Sequence, residues 1–133
     1  AGDAFFFGQP GLLQISVPVL AIGGTADVDS PYGWSTQPSF EYSAGLRKAQ
    51  VALIDAEHMI FTGPCESVRW YLSFLSGEFC SDTEWEREYA HQITKHFTTA
   101  FLLAELKADH DAAAVLSSEI FDLNDVNFQS EGY

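Results

Sequence analysis

VPVLAIGGTADVD, residues 17–29, and VALIDAEH, residues 51–58, are the two stretches on which the fold turns. Each is a short apolar run that ends abruptly in small residues and a titratable group. Runs of Val, Ile, Leu and Ala this short, bounded by Gly and Pro, suit strands buried on both faces of a parallel sheet. In such sheets ligands gather outside the carboxyl ends of the strands. Asp27 and His58 stand just past those ends. If the two strands are neighbours, an acid and an imidazole meet at one edge of the sheet.

Composition narrows the class. A chain of 133 residues suits one domain, here taken as residues 1–133, and 47% apolar residues can build a real core. The formal net charge is -13, with 19 acids against 6 Lys and Arg. That balance argues against nucleic acid and against anionic membrane surfaces as partners. No apolar run approaches the roughly 20 residues of a membrane span. The first residue is Ala and no signal peptide is visible, which suggests a processed or truncated start. Cys65 and Cys80 flank an expected helix. Two readings stand side by side: a disulfide tying the start of that helix to the loop beyond it, which would mark an exported protein, or two separate, partly buried thiols.

Outward from the two strands, Ala1–Ser16 is Gly-rich and aromatic, and Phe5, Phe6 and Phe7 need something to pack against. The first strand is expected over Val17–Gly23, with Pro18 at its entry, where a missing ladder donor is tolerated. A loop over Asp27–Pro38 follows, then a short helix over Phe40–Ala49 capped by Ser39, then a second strand over Val51–Ile54. Pro64 and Gly77 bracket a helix over Cys65–Ser76, with Val68, Tyr71, Leu72 and Leu75 on its inner face. Ser81 with Glu84, or Thr83 with Glu86, forms a capping box for a long helix to about Lys107. Trp85, Tyr89, Ile93, Phe97 and Phe101, with Ala100 and Ala104, mark its buried stripe. Asp109 caps a short helix over Ala112–Leu116, and the tail from Glu119 to Tyr133 reads as extended and packed. Two parallel strands and about four helices cannot cover themselves. The expectation is the last part of an α/β domain, incomplete without an upstream segment or a partner chain.

Few residues are placed to carry chemistry. Asp27 follows a Gly-Gly turn, where an Asp either orients a histidine or merely closes an Asx turn. His58 follows a buried strand among apolar neighbours, and a histidine there serves as general base and acid or as a structural side chain. The pairing of the two favours the catalytic reading over either residue taken alone. Glu57 beside His58 does not share a metal with it, because neighbouring side chains on an extended segment point apart. His91 and His96, five apart on a helix, are not the one-turn metal pair, and with His110 they read as structural or solvated. No serine has the Gly-x-Ser-x-Gly setting of a nucleophile elbow, and Gly23-Gly24 is not followed by the GK[ST] of a phosphate loop. No metal site and no cofactor are expected.

VPVLAIGGTADVDSP followed by VALIDAEHMIF resembles the acid-strand and histidine-loop segments of the α/β-hydrolase superfamily, in which nucleophile, acid and histidine follow one another along the chain. More narrowly, HMIF at 58–61, Cys80–Trp85, HFTTAFLL at 96–103 and LKAD at 106–109 are similar to the bacterial dienelactone hydrolase-like and platelet-activating-factor acetylhydrolase-like group. The resemblance implies a C-terminal portion of an α/β-hydrolase fold, with Asp27 in the acid position and His58 in the histidine position. It implies an esterase- or lipase-like acyl hydrolase acting on a small ester-type substrate. The nucleophilic serine would lie on an upstream segment or a second chain. Tyr32, Trp34, Met59 and Phe61 are the candidates for lining its pocket, against an equal case for ordinary loop packing. Two other readings are kept: a non-catalytic fragment or subunit that binds an N-terminal partner chain through Ala1–Gly24 and an exposed strand edge, and a metal-dependent hydrolase using His58, Asp27 and Asp29.

Overall fold

A computed structural model describes residues 4–63, 85–117 and 123–133. The expected helix over Cys65–Ser76, both cysteines, and Ser81, Thr83 and Glu84 lie outside them. The described elements run α1 (Ala4–Leu12), β1 (Val19–Gly24), α2 (Thr36–Tyr42), β2 (Lys48–Leu53), α3 (Arg87–Lys107), α4 (His110–Val115) and β3 (Val126–Glu131), with short 3-10 turns at Tyr32–Trp34 and His58–Phe61. The protein is a mixed α/β structure.

The sheet has the order β1-β2-β3. β1 and β2 are parallel and joined through α2, with Val19 opposite Lys48 and Gly24 opposite Leu53. Two neighbouring parallel strands are thus present, and the tail adds a third, antiparallel one: Lys48 faces Glu131 and Leu53 faces Val126. β2 is therefore central, and all six of its residues are buried.

The strand limits differ from those read off the apolar run. β2 begins three residues early, at Lys48, and takes in Gln50. Both are long polar side chains on the sheet face covered by α2. There Lys48 Nζ pairs with Glu131 at 3.2 Å and lies 5.2 Å from the centre of the Phe40 ring, while Gln50 meets the Tyr32 hydroxyl. A polar residue with a partner can be buried, which hydrophobicity alone does not reveal. At the other strand Val17 stays 63% exposed and pairing starts at Val19.

Two helices also begin elsewhere than expected. α2 starts at Thr36, with Ser35 in front of it, and not at Phe40. Pro38 falls in the first turn, where its missing N–H costs nothing. Ser39 is no cap: its hydroxyl donates back to the Ser35 carbonyl at 2.7 Å. The N-terminal segment, not anticipated as helical, forms α1 in two pieces hinged at Gly8, whose φ is 56°. Pro10 then sits in the first turn of the second piece, where it is tolerated.

α3 opens at Arg87 with Glu86 in front of it, so Glu86 is not the third-residue partner of a capping box. Its buried face is Ala90, Ile93, Phe97, Ala100 and Ala104. Tyr89 is 37% exposed and Phe101 only partly covered, contrary to the stripe of fours. Four residues advance about 400° around a helix, so strict fours drift off the face, whereas alternating threes and fours hold it. This face packs on Val51, Leu53, Val126 and Phe128 of the sheet, with Ile60 and Leu116 closing the core. Phe97 and Phe128 stack at 4.8 Å. Asp109 caps α4 as expected, accepting the backbone N–H groups of Asp111 and Ala112, each at 3.0 Å.

Two contacts at the far end of α3 generate tests. Ala108 closes α3 with φ 53°, a left-handed conformation that strains any residue with a Cβ. Ala108→Gly is expected to stabilise the protein by roughly 0.5–1 kcal/mol, read as a higher urea midpoint. Glu105, nearly buried, accepts from Arg47 at 2.9 Å and from the Tyr133 hydroxyl at 3.0 Å. Burial, then the hydrogen bond to Glu105, pushes the Tyr133 phenol well above its usual value. The folded state therefore holds this proton more tightly than the unfolded chain. Its stabilising contribution is complete below about pH 10 and fades above it, as the unfolded chain ionises first. Tyr133→Phe is expected to cost about 1 kcal/mol at neutral pH. The difference should shrink as urea titrations are repeated above about pH 10.

Candidate active site

The carboxyl ends of β1 and β2 are stitched to each other by their loops. The Thr25 N–H donates to the Leu53 carbonyl at 2.9 Å and the Ala26 N–H to the Ala56 carbonyl at 3.1 Å. In return the Asp55 N–H donates to Thr25 Oγ1 at 2.8 Å. Asp55 makes this turn with φ 59°, a region Asp tolerates better than most residues. Gly24 is required here: a Cβ on it would lie 2.2 Å from the Ala56 carbonyl oxygen.

Asp27 leaves this junction in an Asx turn. Its Oδ1 accepts the N–H groups of Asp29 at 2.9 Å and Ser30 at 2.7 Å. Its Oδ2 faces His58 Nδ1 at 2.7 Å. The two readings of Asp27, turn-former and histidine partner, are thus both realised, one by each oxygen. The carboxylate side chain is 7% exposed and the imidazole 43%. An ionised carboxylate only accepts, so Nδ1 carries the proton and donates it. In the neutral ring Nε2 then keeps a lone pair. A buried, doubly braced acid that fixes the tautomer of a half-exposed imidazole is an arrangement suited to proton transfer at Nε2.

His58 opens the 3-10 turn His58–Phe61, with Ala56 and Ile60 fully buried on either side of it. The carbonyls at the end of this turn point at Arg87 of α3. Arg87 Nη1 donates to the Met59 carbonyl at 2.8 Å, the Thr62 carbonyl at 3.2 Å and the Gly63 carbonyl at 3.4 Å, and also to Thr62 Oγ1. Just before α3, the Trp85 indole N–H donates to the Ile54 carbonyl at 2.6 Å.

A cleft of about 590 Å³ opens over the pair, lined by Ile22, Gly23, Ser30, Ser35, Thr36, Phe61 and Thr62 beside Asp27 and His58. Of the expected pocket residues, Phe61 is among them; Tyr32, Trp34 and Met59 are not. Tyr32 turns toward the sheet face at Gln50, where burial and then Glu41 raise its hydroxyl pKa while the bond to Gln50 lowers it. Trp34 is 62% exposed, and the Met59 carbonyl is held by Arg87. The hydroxyls of Ser30, Ser35, Thr36 and Thr62 escaped the sequence reading. Thr36 alone leaves a trace, at Gly23, on which a Cβ would lie 2.1 Å from Thr36 Oγ1, and such proximity is invisible in a linear string.

Asp29 touches Asp27 through its backbone N–H, and among the described residues no three His, Cys, Asp or Glu side chains gather as metal ligands. His96 meets Phe97 edge-on at 5.4 Å, and His110 is the first residue of α4. Among the described residues no helix is long and apolar enough to cross a membrane. Comparisons with protein-family models, curated proteins and solved structures returned no match.

The glycine contact supplies a test. Gly24→Ala must push the Ala56 carbonyl away by most of an ångström, and with it the segment carrying His58. A loss of about 1–3 kcal/mol in stability is expected. The hydrogen-bonded Nδ1–H resonance of His58 should disappear from the NMR spectrum. A variant that keeps this resonance would show that the junction does not set the pair.

Proposed function

We propose that this chain supplies the acid and the histidine of a Ser-His-Asp triad in an esterase- or lipase-like member of the α/β-hydrolase superfamily. The nucleophilic serine would stand on an upstream segment or a second chain. The observation that carries this reading is the 2.7 Å contact between His58 Nδ1 and Asp27 Oδ2, at the carboxyl ends of two adjacent parallel strands. The order of acid before histidine along the chain supports it, as does the resemblance of residues 17–31 and 51–61 to the corresponding superfamily segments.

In this mechanism His58 Nε2 takes the proton of the serine hydroxyl as its oxygen attacks the ester carbonyl carbon. Asp27 holds the tautomer and stabilises the imidazolium that forms. The proton then passes to the leaving alkoxide as the carbon–oxygen bond breaks. A water activated at the same Nε2 releases the acid and restores the serine. Phe61 and Ile22 offer apolar surface to the acyl or leaving group. The outer edge of β1 has no strand beside it among the described residues, and an upstream strand of the same sheet would extend it there.

The test is made on the full-length protein. A fluorophosphonate probe is expected to label one serine outside this chain's sequence. His58→Ala and Asp27→Asn should each lower turnover of a short-chain ester by about 10³-fold or more, with the circular dichroism unchanged. Wild-type rates in His58→Ala would end the assignment. A folded protein that takes no label would favour the non-catalytic subunit.

A further inference from the structure

We propose that Arg87 is a positioning residue that, from the downstream side, helps to set His58 against Asp27. Its catalytic consequence rests on the triad reading above, but its structural part does not. Three features lead to it. First, the His58 ring is 43% exposed, so besides Asp27 its position leans on the backbone to either side. Upstream, that backbone is tied to the β1 loop through the carbonyls of Leu53 and Ala56. Downstream, among the described residues, one guanidinium takes up the carbonyls of Met59, Thr62 and Gly63 and the Thr62 hydroxyl.

Second, Arg87 sits where a cation is out of place. It is the first residue of α3, at the positive end of the helix dipole, where Glu88 is the favoured type. The side chain is directed instead to the carbonyl end of a neighbouring 3-10 turn, which a cation complements. Third, its base is rigid. Trp85, two residues earlier, is 8% exposed and is itself bonded to the Ile54 carbonyl, and α3 carries the central core face. The guanidinium thus transmits the placement of α3 to the segment that bears His58.

The test compares Arg87→Gln, which removes the charge and the reach, with Arg87→Lys, which keeps the charge on a shorter side chain. Glu105→Gln serves as a control, since it weakens α3 at the opposite end. The readouts are the hydrogen-bonded Nδ1–H resonance of His58 and ester turnover, both in the full-length protein. Arg87→Gln is expected to lose the resonance and to lower kcat by about 10- to 100-fold, with KM little changed. Arg87→Lys should recover part of both. Glu105→Gln should lower the melting temperature while leaving the resonance in place.

A wild-type resonance and kcat in Arg87→Gln would overturn the proposal, as would loss of the resonance in Glu105→Gln. If Arg87→Gln does not fold, Arg87→Lys decides: an intermediate resonance supports the proposal and an unchanged one overturns it. The two readings fail separately. Full activity in His58→Ala removes the triad while the resonance still judges Arg87. Inactive His58→Ala beside a fully active Arg87→Gln leaves the triad and removes Arg87.

Discussion

The structure around the candidate site depends on one close approach, the Ala56 carbonyl lying against the Cα of Gly24. Because no Cβ intervenes, the Ala26 N–H reaches that carbonyl at 3.1 Å and the loops after β1 and β2 become one hydrogen-bonded unit. The consequences follow in order. Asp27 is carried to the lip of the sheet, its turn closes on its own Oδ1, and Oδ2 is left pointing at His58. An acid used only as a turn cap would account for the contacts of Oδ1 but not for that of Oδ2. The backbone spends two donors on one carboxylate oxygen and reserves the other for an imidazole.

Around that unit the molecule is built asymmetrically. The face of the sheet toward α3 is conventional, with Val51, Leu53 and Phe128 meeting Ile93 and Phe97. The face toward α2 is polar yet closed, because Lys48 and Gln50 find Glu131, Phe40 and Tyr32. Burying polar groups is costly unless they are paired; here the pairs come from three separate elements, and among the described residues Gln50 Oε1 alone on this face is left buried without one. The two ends of α3 also differ in role. Its far end is anchored by Glu105 to Arg47 and Tyr133, at the entry of β2 and the chain's last residue, whereas its near end reaches the His58 segment through Trp85 and Arg87.

What could be read from the residues is what depends on local periodicity and turn chemistry. The short apolar runs announced two parallel strands, the Gly-Gly turn and its Asp announced a loop end, and Asp109 announced a cap, because each signal lies within a few residues of the feature it specifies. The errors share a cause. The second strand was placed on the apolar run from Val51 and so missed Lys48 and Gln50, Pro38 and Ser39 looked like a boundary, and a stripe of fours looked like a helix face. Each was settled by partners or geometry absent from the local string. The antiparallel pairing of β3 was equally hidden: Val126, Phe128 and Ser130 are more covered than Asn127, Gln129 and Glu131 in a pattern that depends on β2 beside them.

The sequence by itself determined that Asp27 and His58 each follow a short apolar strand, and hence that an acid and an imidazole were available at one sheet edge. The tertiary structure decided that they touch, which oxygen faces the ring, and which ring nitrogen faces the carboxylate. It also decided that Ser30, Ser35, Thr36 and Thr62, not Tyr32, Trp34 and Met59, join Phe61 at the cleft, and that a helix some thirty residues on supplies Arg87 to the histidine loop. The division has a physical reason. Strand and turn propensities act over neighbouring residues, whereas a hydrogen bond 2.7 Å long depends on the placement of every element that carries its two ends.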